Sequence, residues 1–82
     1  MGTTNIDLLE CVRRGDSVGA VFHLNRGADP NYHDLEYGWT PLHHAARNGH
    51  FQLLKLLLAK GANPDTLDSL GQTPLHRFIY HF

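Results

Sequence analysis

One cysteine among 82 residues, Cys11, leaves no internal disulfide framework to build on and is compatible with a reducing compartment. Charge of one sign is also lacking. Seven Lys and Arg stand against eight Asp and Glu, a formal net charge of −1, so the basic excess of a nucleic-acid binder is absent. The most apolar run, Leu53 to Ala59, is broken by Lys55 and is far shorter than the ~18 residues a membrane span needs. Met1 to Ile6 carry no apolar signal-peptide core, and Ile6 stands where a myristoylation signal requires Ser or Thr. Phosphate-cradling glycine loops are missing too: "RRGDSVG" has neither the G-x-G-x-x-G spacing nor a P-loop lysine. These absences lead us to expect a soluble chain with no cofactor, no nucleic-acid partner and no membrane insertion. Its length allows one small domain with a thin core.

What the sequence does contain is repetition, the first thing to look for in a short chain. "TPLH" at Thr40–His43 returns at Thr73–His76, 33 residues on. "GADPN" at Gly27–Asn31 is echoed by "GANPD" at Gly61–Asp65, 34 residues on, and "RRGD" at Arg13–Asp16 by "RNGH" at Arg47–His50. The extra residue falls between Asp34 and Gly38, where "DLEYG" stands against "DSLG" at Asp68–Gly71.

Each unit reads as helix, turn, helix, turn. In the middle unit Thr40 is placed to cap a helix, with Pro41 at its first position, where a missing N–H costs nothing. That helix should reach about Asn48 and stop at Gly49. A second should cover about Phe51 to Lys60 and end at Gly61. "FQLLKLLLAK" is apolar on nearly every side, which predicts neighbours on more than one face and a buried Leu57. In the first unit Leu8, Leu9, Cys11 and Val12 form the first helix, Gly15 its stop. Val18, Ala20, Val21, Phe22 and Leu24 form the second, closed by Gly27. Asp7 takes the place of Pro41 there. The third unit opens at Thr73-Pro74. The expected organisation is one domain, 1–82, with units of about 5–37, 38–70 and a truncated 71–82.

Three histidines crowd the stretch from His43 to His50. Neighbouring helical residues such as His43 and His44 diverge by about 100°, whereas zinc needs about four converging ligands. No metal site is expected. Cys11 aligns with the small Ala45 and reads as core rather than nucleophile. Asp29, before Pro30, sits in a turn rather than in a place for acid–base work.

Gly38–Asp65, "GWTPLHHAARNGHFQLLKLLLAKGANPD", closely resembles the ankyrin repeat. The resemblance implies an all-α solenoid of stacked helix-turn-helix units joined by β-turn fingers. It makes Thr40, His43, Gly49, Gly61, Thr73 and His76 structural, with the T-P-L-H histidine as a strut. His50 is expected to pack beside its glycine. It also implies a non-catalytic, intracellular module, cytoplasmic or nuclear, that binds another protein through finger tips and the exposed side of the first helices. The alternative is a regulatory or targeting segment of a larger enzyme, channel or transfer protein.

Carried over residue by residue, the contact positions of the middle unit are Leu35, Glu36, Tyr37, Trp39, His44, Arg47 and Asn48. Those of the last are Ser69, Leu70, Gln72 and Arg77, followed by Tyr80 and His81. The first unit contributes Glu10, Arg13 and Arg14. Tyr37 and Trp39 beside Leu35 and Arg47 have the composition of an interface hot spot. Against this, Trp39 has the alternative of lying over its own finger, covering Tyr32 or Leu67. Arg13, Arg14, Arg47 and Arg77 read either as a basic strip, interrupted by Glu10 and Glu36, or as a solvated face. Finally, Phe78, Ile79 and Phe82 replace Ala45, Ala46 and Gly49. This apolar end suits a longer protein whose next segment covers it, a short form closed by its last helix, or a homodimer through those three residues.

Overall fold

Helix starts in this chain are set by short polar side chains, and the first is set two residues earlier than the repeat alignment suggests. The Thr4 hydroxyl accepts from the Asp7 N–H at 3.0 Å, and the Asp7 carboxylate accepts from the Thr4 N–H at 3.1 Å. This reciprocal capping box begins α1 at Asn5 and puts Asp7 third in the helix, not first in the manner of Pro41. The Thr4 hydroxyl and N–H together hold the Asp7 carboxyl below its ordinary range.

The computed structural model describes residues 4–79, with side chains as far as His76. The side chains of Arg77, Phe78 and Ile79, and all of Tyr80, His81 and Phe82, lie outside the described residues. The order is α1 (Asn5–Arg14), α2 (Ser17–Asn25), α3 (Pro41–Asn48), α4 (Phe51–Ala59) and α5 (Pro74–Ile79). Among the described residues there is no strand, and no helix is long and apolar enough to cross a membrane. The all-α repeat architecture is therefore present, with α3 packed against α1, α4 and α5.

Equivalent helices end in the same way. Gly15 and Gly49 take left-handed φ angles of 76° and 72°. The following N–H groups, of Asp16 and His50, return to the Cys11 and Ala45 carbonyls at 2.8 and 2.9 Å. A side chain at Gly15 would be strained by φ and would also meet the His50 ring at 2.9 Å. The His50 ring thus packs across the unit boundary onto Gly15, with Nε2 3.4 Å from the Arg13 carbonyl.

On the opposite edge the Gly-Ala-Asx-Pro turns are laced together. Asn31 accepts from the Asn63 N–H at 2.6 Å and donates to the Gly61 carbonyl at 3.1 Å. Asp29 and Asn63 each cap the N–H two residues on, at 2.8 and 2.9 Å, the local bond that makes Asx residues good turn formers.

Between these edges Leu8, Cys11, Val12, Ala20, Leu42, Ala45, Leu53 and Leu57 form one buried cluster. Small residues at Ala20 and Ala45 let the helices approach. Cys11 sits at the place of Ala45, and burial pushes its thiol above the usual value. In α4 Leu53 and Leu57 are buried and Leu54 and Leu56 pack partly against the same cluster, while among the described residues Phe51 and Leu58 remain 53% and 40% exposed.

Leu57→Ala is expected to destabilise the chain by about 2–5 kcal/mol in urea unfolding, a deletion in a closed core. Leu58→Ala should cost much less, and equal losses would show the core to be misplaced.

Candidate functional site: the finger tips and inner helix face

Two aspartates, one residue before each finger, build this face. Asp34 N–H donates to the Trp39 carbonyl at 2.8 Å, closing the longer finger, and Asp68 N–H donates to the Gln72 carbonyl at 2.9 Å, closing the shorter one. Each carboxylate then fills its own loop. Asp34 Oδ1 accepts from the Tyr37 and Trp39 N–H groups at 2.8 and 3.2 Å. Asp68 Oδ1 accepts from the Leu70 and Gln72 N–H groups, both at 2.9 Å. The extra residue is absorbed inside the first loop without loss of this bonding.

The second carboxylate oxygens tie fingers to helices and to each other. Asp34 Oδ2 accepts from His44 Nε2 at 2.8 Å, and Asp68 Oδ2 accepts from the Trp39 indole N–H at 3.1 Å. Gly38 permits close approach: a Cβ there would meet Ser69 Oγ at 2.5 Å, and the Ser69 N–H donates to the Tyr37 carbonyl at 3.0 Å. Sequence reasoning named neither aspartate as a site residue. Their signal was recurrence at the repeat offset, immediately ahead of each finger.

His43 is buried at the base of both fingers. Nε2 lies 2.8 Å from the Gln72 carbonyl, which can only accept, so Nε2 carries the proton. Nδ1 is then bare, and accepts from the Thr40 N–H at 3.1 Å, with the Thr40 hydroxyl 2.9 Å away. Thr40 stands at the N-cap of α3, with its hydroxyl beside the histidine ring. Thr73 repeats the N-cap, accepting from the His76 N–H at 3.3 Å.

The candidate contact residues divide into three groups. Leu35, Tyr37 and Leu70 project at 94%, 54% and 72% exposure, and Glu36, Asn48 and Ser69 are exposed beside them. Trp39, Arg47 and Gln72 are half-buried. His44 is 7% exposed and holds the finger through Asp34, so it presents almost no surface. Trp39 sits among aromatic rings. It packs on Tyr37 and His44, with ring centroids 5.2 and 5.0 Å away, and stacks at 6.4 Å over His43. Its remaining edge lines an open concavity with Tyr37, Leu70, Arg47 and Asn48. Arg13 and Arg14 reach the same concavity but stand 3.5 and 3.8 Å from Glu10 and Asp16, so charge there is mixed.

Burial holds both His43 and His44 below the ordinary imidazole value, the Asp34 carboxylate only partly opposing this at His44. Burial alone would raise Asp34, but the Tyr37 N–H, the His44 ring and the Trp39 N–H outweigh it and leave it lowered. Unfolded histidine takes up a proton near pH 6.5, while the folded rings stay neutral to lower pH, so stability should fall as pH drops below about 6.5. Asp34 adds a second loss below about pH 4, where its unfolded carboxylate protonates first. Urea midpoints measured from pH 7.5 to 5 should decline, and His44→Gln should flatten the decline. An unchanged slope in that variant would remove His44 from the account.

A family model described as ankyrin repeats, three copies, matches residues 8–81. The chain is 40% identical over 67 residues to the mouse 2-5A-dependent ribonuclease, covering 82% of this chain and 9% of that protein. It is 37% identical over 75 residues to an ankyrin repeat-containing protein of Schizosaccharomyces pombe, covering 92% of this chain and 36% of the other. It is 41% identical over 64 residues to the Drosophila ARF GTPase-activating protein Git, covering 78% and 9%. The chain therefore spans about a tenth to a third of the length of these relatives.

Proposed function

The chain belongs to the ankyrin-repeat family, whose repeats are protein-interaction modules, and we propose that it binds a partner protein through the finger tips and the inner face of α1 and α3. The observation carrying this reading is the exposure of Leu35, Tyr37 and Leu70 on two fingers that carboxylates and histidines hold rigid. A finger backbone already held by hydrogen bonds loses little conformational entropy on binding, which is where interface affinity is commonly lost. Arg47, Asn48 and Glu36 supply a polar rim around them. A protein surface with an apolar ridge and mixed charge fits this face better than a uniformly acidic one, because Glu10 and Asp16 already attend Arg13 and Arg14.

Trp39 has two roles in this reading. Its ring lines the concavity, and its indole N–H holds the second finger through Asp68. Removing it therefore disturbs the platform as well as the contact. Leu35 and Leu70 contact partner without that entanglement.

A second reading is favoured by the small share of each relative that this chain covers. In it the same surface serves as the regulatory or targeting segment of a larger enzyme, channel or transfer protein. The contact residues are the same in both readings.

Affinity capture with the wild-type chain, compared with the Leu35→Ala/Tyr37→Ala/Leu70→Ala variant, tests the surface. Proteins retained by the wild type should be depleted at least tenfold on the variant, the loss of about 1.4 kcal/mol or more that hot-spot residues contribute. Its thermal midpoint should barely move, since all three side chains are exposed. Equal capture by both proteins would refute the proposal.

A further inference from the structure

One side of α1 borders the first finger across an open cavity of about 180 Å³. Ile6, Leu9, Glu10 and Arg13 line it from the helix, at the spacing that puts four residues on a single helical face. Tyr32 and Leu35 line it from the finger side. Leu9 and His44 are nearly buried where they border it, while Ile6 and Leu35 stand exposed at its edge.

The repeat accounts for the space. In the 34-residue register Leu9 stands at the place of His43, and Glu10 at the place of His44. His43 crosses from α3 to the next finger with its 2.8 Å bond to the Gln72 carbonyl. Leucine has no donor with which to make such a bond, and α1 meets its finger here through an apolar wall.

Size and lining select the occupant. A cavity of roughly 150 Å³ is filled by one benzene-sized group, whereas small-molecule pockets run from roughly 300 to 1,000 Å³. This one takes a single side chain. Its charge is unbalanced: the carboxylates of Glu10, Asp34 and Glu36 face one guanidinium, that of Arg13. Asp34 is held ionised by its own loop bonds and by His44. Burial keeps the His44 ring neutral near pH 7, so it adds no positive charge. Arg13 stands 3.5 Å from Glu10 with both side chains about half exposed, a loose pair of little strength. Glu36 is exposed and takes part in no ion pair among the described residues.

We infer that this cavity receives one arginine side chain of the partner protein, its stem against Ile6, Leu9 and Leu35 and its guanidinium at Glu10 and Glu36. The inference rests on the proposed function, since it names the partner's chemistry for one part of the same face. A long basic side chain answers both features of the cavity, because its stem covers apolar surface while its head stays at the wet, acidic rim. Arginine suits the site better than lysine: its planar head is more weakly hydrated and packs on aromatic rings such as Tyr32. A purely apolar side chain would leave the carboxylates unmatched, and an acidic one would add to them.

Alanine pentapeptides, acetylated and amidated, with a central arginine, citrulline, norleucine or glutamate test this by titration into the whole chain. The Ile6, Leu9 and Leu35 methyl signals in NMR spectra report binding at the cavity. The arginine peptide should shift them with a Kd of about 1–10 mM, which is what one side chain can supply. Citrulline has the shape of arginine without its charge, and should bind about fivefold more weakly, the yield of exposed ion pairs. Glu10→Gln/Glu36→Gln should erase that difference. Both positions are exposed, and far-UV circular dichroism checks that the fold is kept. Arg13→Gln should tighten arginine binding, because it removes the competing cation. Equal binding of arginine and citrulline, preference for norleucine or glutamate, or no shift up to about 50 mM overturns the inference. The proposed function then still stands if capture is lost on the Leu35→Ala/Tyr37→Ala/Leu70→Ala variant. Equal capture by that variant overturns both.

Discussion

A neutral imidazole buried between a helix start and the next finger holds this molecule in register. His43 must donate from Nε2 to the Gln72 carbonyl and accept at Nδ1 from the Thr40 N–H. Only one tautomer meets both demands, and a second proton would face the Thr40 N–H. The ring therefore joins the cap of α3 to the closing turn of the finger that leads into α5. Stacked units share no continuous sheet, and each depends on such contacts with its neighbour. Trp39 lies flat over this ring, so the strut and the surface above it are one assembly.

The aspartates extend the same logic outward. A carboxylate that accepts from two backbone N–H groups in its own loop behaves as a local template for the turn, and its second oxygen remains for a longer reach. Asp34 uses it for His44, and Asp68 uses it for Trp39. Charge-assisted bonds of this kind are stronger than neutral ones and hold a loop that would otherwise be mobile. Rigid fingers can display Leu35, Tyr37 and Leu70 in water without collapsing onto them. The stiffness of the scaffold and the exposure of the contact residues have one physical origin.

Some assignments changed role between pattern and packing. His44 belongs by alignment to the variable, partner-facing positions, yet its ring turns inward to Asp34, whose second carboxylate oxygen lies 2.8 Å away. His50 crosses to Gly15, where the absence of a Cβ leaves room for a ring.

Much of the fold was legible in the residues. Period, helix starts at Thr40 and Thr73, stops at Gly15 and Gly49, the core role of Leu57 and the burial of Cys11 follow from local chemistry repeated at a fixed offset. Caps, αL glycines and apolar spacing act over a few residues, so a linear text can hold them. The candidate site was legible only in outline. Alignment could indicate that Leu35, Tyr37, Trp39 and Leu70 lie near one face, but not that Trp39 bonds Asp68 twenty-nine positions away. It also could not show that His44 faces inward, or that Leu42 is covered where its repeat Leu75 is open. Those outcomes depend on which atoms the stacking of units brings within a few ångströms, and distances across units are properties of the packed chain alone.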